Sequence, residues 1–139
     1  MQAITDGEFR RAFWHFDFLG GLGGVELFES DSGIQFKGVQ TKATGVRVVD
    51  KLHYTPHVMV EHFKFVADHT KRTPKITIPS PTILHFRGGH EAIDKVAYPT
   101  LDTFYADLAR VYREEIADLA AAGCRYLQID ETNLAYLCD

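Results

Sequence analysis

Apolar and polar positions alternate along this chain in two different ways, and its second half is the more regular. From residue 7 to residue 19, Phe9, Ala12, Phe13, Phe16 and Leu19 recur at helical spacing, with Asp6 placed as an N-cap. Trp14 and Phe18 lie off that stripe, so a helix here is apolar on more than one side and largely buried. The run "GGLGG" (residues 20–24) stops it and allows a change of direction. It lacks the G-x-G-x-x-G spacing of a nucleotide loop. In "VELFE", "GIQFKGVQT" and "TGVRVVDKL", Ile34 and Phe36, then Val46 and Val48, alternate as in half-exposed strands. "SDSG" and "KATG" supply turn chemistry. The pattern predicts an antiparallel excursion around residues 25–52.

Thr55-Pro56 reads as a helix start, Thr as N-cap and Pro at the first helical position. That helix carries Met59, Phe63 and Val66 and ends near His69. "PKITIPSPT" holds a short strand over residues 76–78, which Pro79 and Pro81 terminate. "ILHFRGGHEAIDKVAYP" reads as a long loop. The best helix spans residues 99–122, with Leu101, Phe104, Tyr105, Leu108, Val111, Tyr112, Ile116 and Leu119 as its stripe and Gly123 as its stop. A strand over residues 125–130 then runs straight into Asp130 and Glu131. Strands separated by long helices imply βαβ crossovers and a parallel sheet. In such sheets ligands meet the carboxyl ends of the strands.

Composition narrows the function classes. At 139 residues the chain is the size of one domain, and its 45% hydrophobic content suits a globular core. The net charge of −4, with no basic block, gives no footprint for nucleic acid. No apolar run approaches the roughly 20 residues of a membrane-spanning helix, and "MQAITDGEFRR" is not patterned as a signal peptide. Cys124 and Cys138 form no disulfide framework, which suggests a reduced, cytoplasmic setting.

Two carboxylate pairs stand out. Asp130 and Glu131 close a strand; one could cap the following turn while the other is solvated, or a carboxylate there could bind a substrate amine or act as a base. Asp6-Gly7-Glu8 reads first as a common turn and cap before a helix, ahead of a functional role. In "HFRGGH", Arg87, His90 and the glycines could hold an anion, and a mobile loop explains them as well; neither reading assigns His85. His53 and His57 are separated by Pro56 and do not share a helix face as zinc ligands do. His62 and His69 fall on the outer face of their helix, and Cys124 reads as a small core residue.

Three segments in this order, "ITDGEFRR", "KITIPSPTILHF" and "AGCRYLQIDETNLA", resemble the catalytic barrel of the cobalamin-independent methionine synthase family and its shorter homologues. The resemblance implies an α/β fold, part of a (β/α)8 TIM-type barrel with the antiparallel excursion inserted. It implies a single incomplete barrel domain over residues 1–139, an internal part of a longer catalytic domain. It also implies transfer of a methyl group from a methylated folate, or another donor, to a thiol such as homocysteine, which binds as an amino acid. Glu8 matches the family glutamate that holds the homocysteine amino group, and Asp130 the aspartate that helps bind the same amino acid. Phe86 falls where the family carries an aromatic, commonly Trp, beside the methyl donor; Phe lacks the indole N–H. "DET" replaces the family's usual "DEP".

The family activates its thiol on zinc, which stabilises the thiolate at neutral pH. The zinc ligands of the family lie after the "QIDE" segment and have no counterparts in this chain, so the resemblance implies substrate-positioning residues, no metal ligand, no catalytic residue and no activity in isolation. Two other readings compete. One is a self-contained, non-catalytic α/β binding domain, and the other a related thiol alkyl- or methyltransferase such as a coenzyme-M-type enzyme. The barrel reading further implies that Glu8, Phe86 and Asp130 follow strand carboxyl ends on one side of the fold, and that open strand edges lead to self-association or to completion by the missing half of the barrel.

Overall fold

The computed structural model describes residues 2–30, 43–86 and 88–137. Arg87, Cys138 and the whole stretch joining the two strands of the excursion, residues 31–42 with Ile34 and Phe36, lie outside the described residues. The elements in chain order are β1 (Ala3–Ile4), α1 (Phe16–Leu19), β2 (Gly23–Ser30), β3 (Ala43–His53), α2 (Val58–Asp68), β4 (Thr73–Pro74), β5 (Ile76–Pro79), α3 (Ile83–Phe86), α4 (Leu101–Ala121) and β6 (Leu127–Asp130). Short 3₁₀ turns occupy Gly89–Ala92 and Leu134–Leu137.

The fold is mixed α/β with small sheets, and the described strands do not close into a barrel. β1 pairs parallel with β4, Ile4 opposite Pro74, and β5 pairs parallel with β6 from Ile76 opposite Leu127 to Pro79 opposite Asp130. Only Lys75 separates β4 from β5, and its amide donates to the Ile4 carbonyl at 2.8 Å. Residues 73–79 therefore run as one central strand between β1 and β6. Ile76 and Ile78 are fully buried against the helices. On the opposite face the two-residue period places Lys75 and Thr77, and on β6 Gln128 and Asp130. Ile129 and Tyr126 stay about half exposed, so the β6 segment is less buried than its apolar sequence suggests.

The antiparallel excursion forms as expected, β2 against β3, with Leu27 opposite Val46. A bulge interrupts the register between Gly23 and Val25, and Gly24 sits there at φ 86°, a conformation open to glycine. α4 clamps the base of this hairpin. The Leu52 amide donates to the Tyr98 hydroxyl at 2.6 Å, and Arg110 donates to the Leu52 carbonyl at 2.8 Å.

The stretch expected as one buried helix over residues 7–19 is instead a string of turns ending in the four-residue α1. Gly7 and Glu8 both adopt left-handed backbone, φ 66° and 58°, which a right-handed helix excludes. The Asp17 carboxylate then takes the amides of Ala12 and Phe13, at 3.2 and 2.8 Å, in competition with helical carbonyls. Phe9 is consequently exposed, whereas Phe16, Phe18 and Leu19 are buried. The α2 cap is also displaced. The Thr55 hydroxyl donates to the Gly21 carbonyl, and His57 serves as N-cap by accepting the Met59 amide on Nδ1. A side chain at Gly21 would collide with the His57 ring, so the glycine run is needed there for close approach. His62 is half buried rather than on the outer face, while His69 is exposed. The stretch read as a long loop after β5 contains α3 and a 3₁₀ turn, and Ile93 there bridges to Val48 on β3.

α4 has the expected length, with Gly123 (φ 97°) just past its end. Its buried stripe is Phe104, Leu108, Val111, Tyr112, Glu115 and Leu119. Tyr105 and Ile116, both assigned to the stripe by spacing, are 41% and 37% exposed, and the position beside Ile116 brings a carboxylate into the core. Burial pushes Glu115 up to about 7; the nearby Tyr54 hydroxyl opposes this and Asp118 adds to it. The Tyr54 hydroxyl itself donates to Asp118 at 2.6 Å, and the Glu115 oxygens have no hydrogen-bond partner among the described residues.

The folded chain holds the Glu115 proton to about 7, and the unfolded chain releases it above about 4.5. This group therefore lowers stability progressively between those values as pH rises. Glu115→Gln should stabilise the protein by roughly 2–3 kcal/mol at pH 8 and hardly at all at pH 4.5. Urea unfolding at both values checks this; an equal change at the two pH values would contradict it.

Candidate functional site

The polar residues of interest gather at the carboxyl ends of the parallel strands. Beyond Pro79 the backbone ladder continues for one more bond, from the Ser80 amide to the Asp130 carbonyl at 3.0 Å. The Tyr112 hydroxyl donates to the Pro79 carbonyl at 3.1 Å and so anchors the same corner to α4. The two prolines of "IPSPT" bend the chain away from the sheet, and Thr82 turns back towards β6.

Glu131 joins the two loops. Its Oε2 accepts the Thr82 hydroxyl at 2.8 Å, while Oε1 accepts the amides of Asn133 and Leu134 at 2.7 and 3.2 Å. Ser80 and Asn133, both buried, reach the Thr82 hydroxyl at 2.9 and 3.0 Å. Burial alone would raise the Glu131 carboxyl, but the hydrogen bonds from Thr82, Ser80 and the two amides outweigh it and hold the group below its ordinary value. Of the acidic pair, Glu131 thus takes the capping role.

Asp130 is differently placed. Its Oδ1 accepts from Gln128 Nε2 at 2.6 Å, and Gln128 Oε1 in turn accepts from Lys75 Nζ at 2.7 Å. Its Oδ2 has no hydrogen-bond partner among the described residues. The residue is half buried. One carboxylate oxygen is held in place and the other is left for a donor from outside.

Glu8 lies beyond β1 in a tight turn. The Gly7 amide donates to the Thr5 hydroxyl, the Glu8 amide to Asp6 Oδ1, and the Arg11 amide to the Glu8 carbonyl, at 2.9, 3.0 and 3.0 Å. Asp6 therefore closes an Asx-type turn in place of a helix cap. Glu8 Oε2 lies 3.7 Å from Arg11 Nη1, and Arg11 Nη2 donates to the Thr77 carbonyl at 2.8 Å. Thr77 pairs with Gln128, the residue that holds Asp130. Glu8 and Asp130 thereby connect to the same stretch of the central sheet from its two sides.

Phe86 ends α3, half buried, its amide donating to the Thr82 carbonyl at 3.1 Å. It follows the carboxyl end of β5 as Glu8 follows β1 and Asp130 ends β6. His85 beside it contacts the Tyr105 hydroxyl through Nε2 at 3.0 Å; burial lowers its affinity for a proton, and His90 lowers it further. His90 is exposed. Spacing alone drew no attention to Arg11, Thr82 or Gln128. Their partners lie far away in the chain, at Thr77, Glu131 and Lys75.

Among the described residues no group of three or more His, Cys, Asp or Glu side chains could hold a metal ion. Cys124 is buried in the core. No described helix is long and apolar enough to cross a membrane.

The parallel strands and their acidic carboxyl ends define an α/β protein, and comparison with known proteins narrows the class. No protein-family model matches the chain. It is 45% identical to the uncharacterized protein YxjG of Bacillus subtilis over 134 residues, 95% of this chain and 35% of that protein. It is 32% identical to methionine synthase of Pyrococcus abyssi over 84 residues, 60% of this chain and 23% of that enzyme. A crystal structure from Listeria monocytogenes, described as a vitamin-B12 independent methionine synthase, superposes over 100% of this chain and 38% of its own, at TM-score 0.78 and 38% identity. A B12-independent methionine synthase from Shewanella, in complex with selenomethionine, shares the fold at TM-score 0.68 and 23% identity over 94% of this chain and 36% of its own. The chain belongs to the family of the B12-independent methionine synthases. It spans about a third of the length of YxjG and of the Listeria protein.

The Thr82–Glu131 contact should be the main tie between the loops after β5 and β6. Thr82→Val leaves the Glu131 carboxylate without its hydroxyl donor and should cost about 1–2 kcal/mol. Glu131→Gln should cost less, since the amide oxygen still accepts from two backbone amides. Chemical denaturation of both variants decides this; a neutral Thr82→Val would show that the loops are held by other means.

Proposed function

We propose that the chain forms the amino-acid-binding part of a thiol methyltransferase of the B12-independent methionine synthase type. The reading is carried by one observation: two carboxylates, Glu8 and Asp130, follow the carboxyl ends of parallel strands and are linked to the same central strand, Glu8 through Arg11 and Asp130 through Gln128. Two carboxylates on either side of a strand end suit the ammonium group of an α-amino acid. Such a group carries one positive charge and three N–H donors, and Asp130 Oδ2 has no competing partner among the described residues.

The substrate is then homocysteine or a similar thiol amino acid, held by its amino end so that its sulfur faces the donor. In the reaction an S–CH₃ bond forms as an N–CH₃ bond of a methylated folate, or another methyl donor, breaks. The thiol loses its proton and the donor nitrogen gains one. The residues described here orient the amino acid and hold it still, which converts a bimolecular encounter into one with fixed geometry. Phe86 is positioned to flank a flat donor ring, with its carbon face and no N–H. Zinc would supply thiolate activation in such an enzyme, but the described residues do not fit it, since they include no donor cluster. No step is therefore assigned to the metal.

β1, the 73–79 strand and β6 follow one another in chain order, mutually parallel, with α2 and α4 between them. This is the arrangement of consecutive units of a (β/α)8 barrel, and it supports reading the chain as a section of one. Among the described residues β6 pairs on one side only, and Ile129 and Tyr126 beside that edge are about half exposed. Completion of the sheet by further strands, or self-association through that edge, would cover them. The buried free thiol of Cys124 is in keeping with a cytoplasmic setting.

Titration of the isotopically labelled chain with L-methionine, followed by NMR, tests the site. Amide signals at Glu8 and around Gln128–Glu131 should move on titration. Asp130→Asn should weaken binding by about tenfold or more, with melting nearly unchanged. Shifts confined to other surfaces, or unaltered affinity in Asp130→Asn, would remove the basis of the proposal.

A further inference from the structure

We infer that Arg11 is a positioning residue for Glu8, holding that carboxylate against the central strand where β1 has ended. The inference rests on the amino-acid site proposed above. In "EFRR" two arginines are adjacent, yet they take opposite courses. Arg10 stacks on the Phe65 ring at the surface, 4.0 Å from its centroid. Arg11 turns inward, with its side chain 1% exposed.

The strand geometry explains what Arg11 does there. In a parallel strand, alternate residues direct both backbone groups to one neighbour. The amides of Ile76 and Ser80 go to β6, at the carbonyls of Tyr126 and Asp130. Lys75, Thr77 and Pro79 therefore address the other edge. Lys75 finds β1 there, at Ile4, and the Pro79 carbonyl receives the Tyr112 hydroxyl. β1 stops at Ile4, so the Thr77 carbonyl between them has no strand to meet among the described residues. Arg11 Nη2 fills that place at 2.8 Å, Nη1 donates to the Trp14 carbonyl at 3.3 Å, and the same nitrogen lies 3.7 Å from Glu8 Oε2.

One rigid, permanently charged fork thus replaces a missing strand and sets the position of a carboxylate. A buried charge is a poor way to gain stability alone, because an apolar residue of similar volume often serves as well. The left-handed backbone of Glu8 points the same way, since a non-glycine residue persists at φ 58° only when its surroundings enforce it. Lysine keeps the charge but cannot reach the carbonyls and the carboxylate together.

The test combines Arg11→Met, Arg11→Lys, Glu8→Gln and the Arg11→Met/Glu8→Gln double variant, with L-methionine as probe and thermal melting as the control for folding. Arg11→Met should weaken binding about tenfold and Arg11→Lys by a smaller factor. The double variant should bind no worse than Glu8→Gln alone, because Arg11 acts through Glu8. Multiplying losses, or unchanged affinity in Arg11→Met, overturns the inference. Unchanged affinity in Glu8→Gln instead overturns the site reading. Hydrogen exchange needs no ligand and serves if the chain does not bind the probe: in Arg11→Lys the backbone amide at position 11, bonded to the Glu8 carbonyl in the parent chain, should lose protection while α4 keeps its own. Retained protection there overturns the inference, and if Arg11→Met does not fold, Arg11→Lys carries both measurements.

Discussion

The pairing of residues 76–79 with residues 127–130 is the constraint on which the rest of this structure depends. It brings together two segments separated by the whole of α4, and it sets the level at which each strand ends. Once Pro79 lies opposite Asp130, the Ser80 amide reaches the Asp130 carbonyl, Thr82 meets Glu131, and Gln128 stands beside Lys75. A slip of one residue would turn Ile76 and Ile78 away from the helices and set Lys75 and Thr77 against them in their place. The apolar face of the sheet therefore specifies the polar geometry on the other face. The carboxylates need no separate device to find their height.

Legibility in the sequence follows the range of the interactions involved. α4 was plain because its period is local and sustained over many turns, and "IPSPT" was plain because proline ends a strand wherever it occurs. The same periodicity misplaced two positions: it put Tyr105 in the stripe, where it is exposed, and chose Ile116 where the helix buries Glu115. Residues 7–19 were misread for a different reason. Their apolar spacing was real, but two left-handed residues and the reach of Asp17 back to Ala12 and Phe13 are side-chain and backbone choices that an apolar count does not register.

The candidate site was legible only in part. Glu8, Phe86 and Asp130 were singled out through resemblance to a family, and the residue pattern alone leaves Glu8 in a turn capped by Asp6 and Asp130 as a cap or a solvated group. Glu131 is indeed a cap, and also the link to Thr82 that no cap rule foresees. Arg11 could not be found locally, because its role exists only where β1 ends beside Thr77. That juxtaposition depends on the partnering of strands some seventy residues apart in the chain.

His57 has a consequence for the acid side of the protein's range. Its Nε2 faces the Phe18 carbonyl at 2.8 Å and its Nδ1 faces the Met59 amide, so only one tautomer satisfies both, with the hydrogen on Nε2. A second proton would have to settle on the nitrogen that caps α2, setting two donors against each other. Burial, partly countered by the Phe18 carbonyl, holds the ring below the ordinary histidine value of 6.5. Acidification through that value thus works against the folded state, opposite in direction to the effect of the buried carboxyl on α4. Over mildly acidic pH the two protons act in opposite directions, so a shallow stability profile there would conceal two opposed contributions.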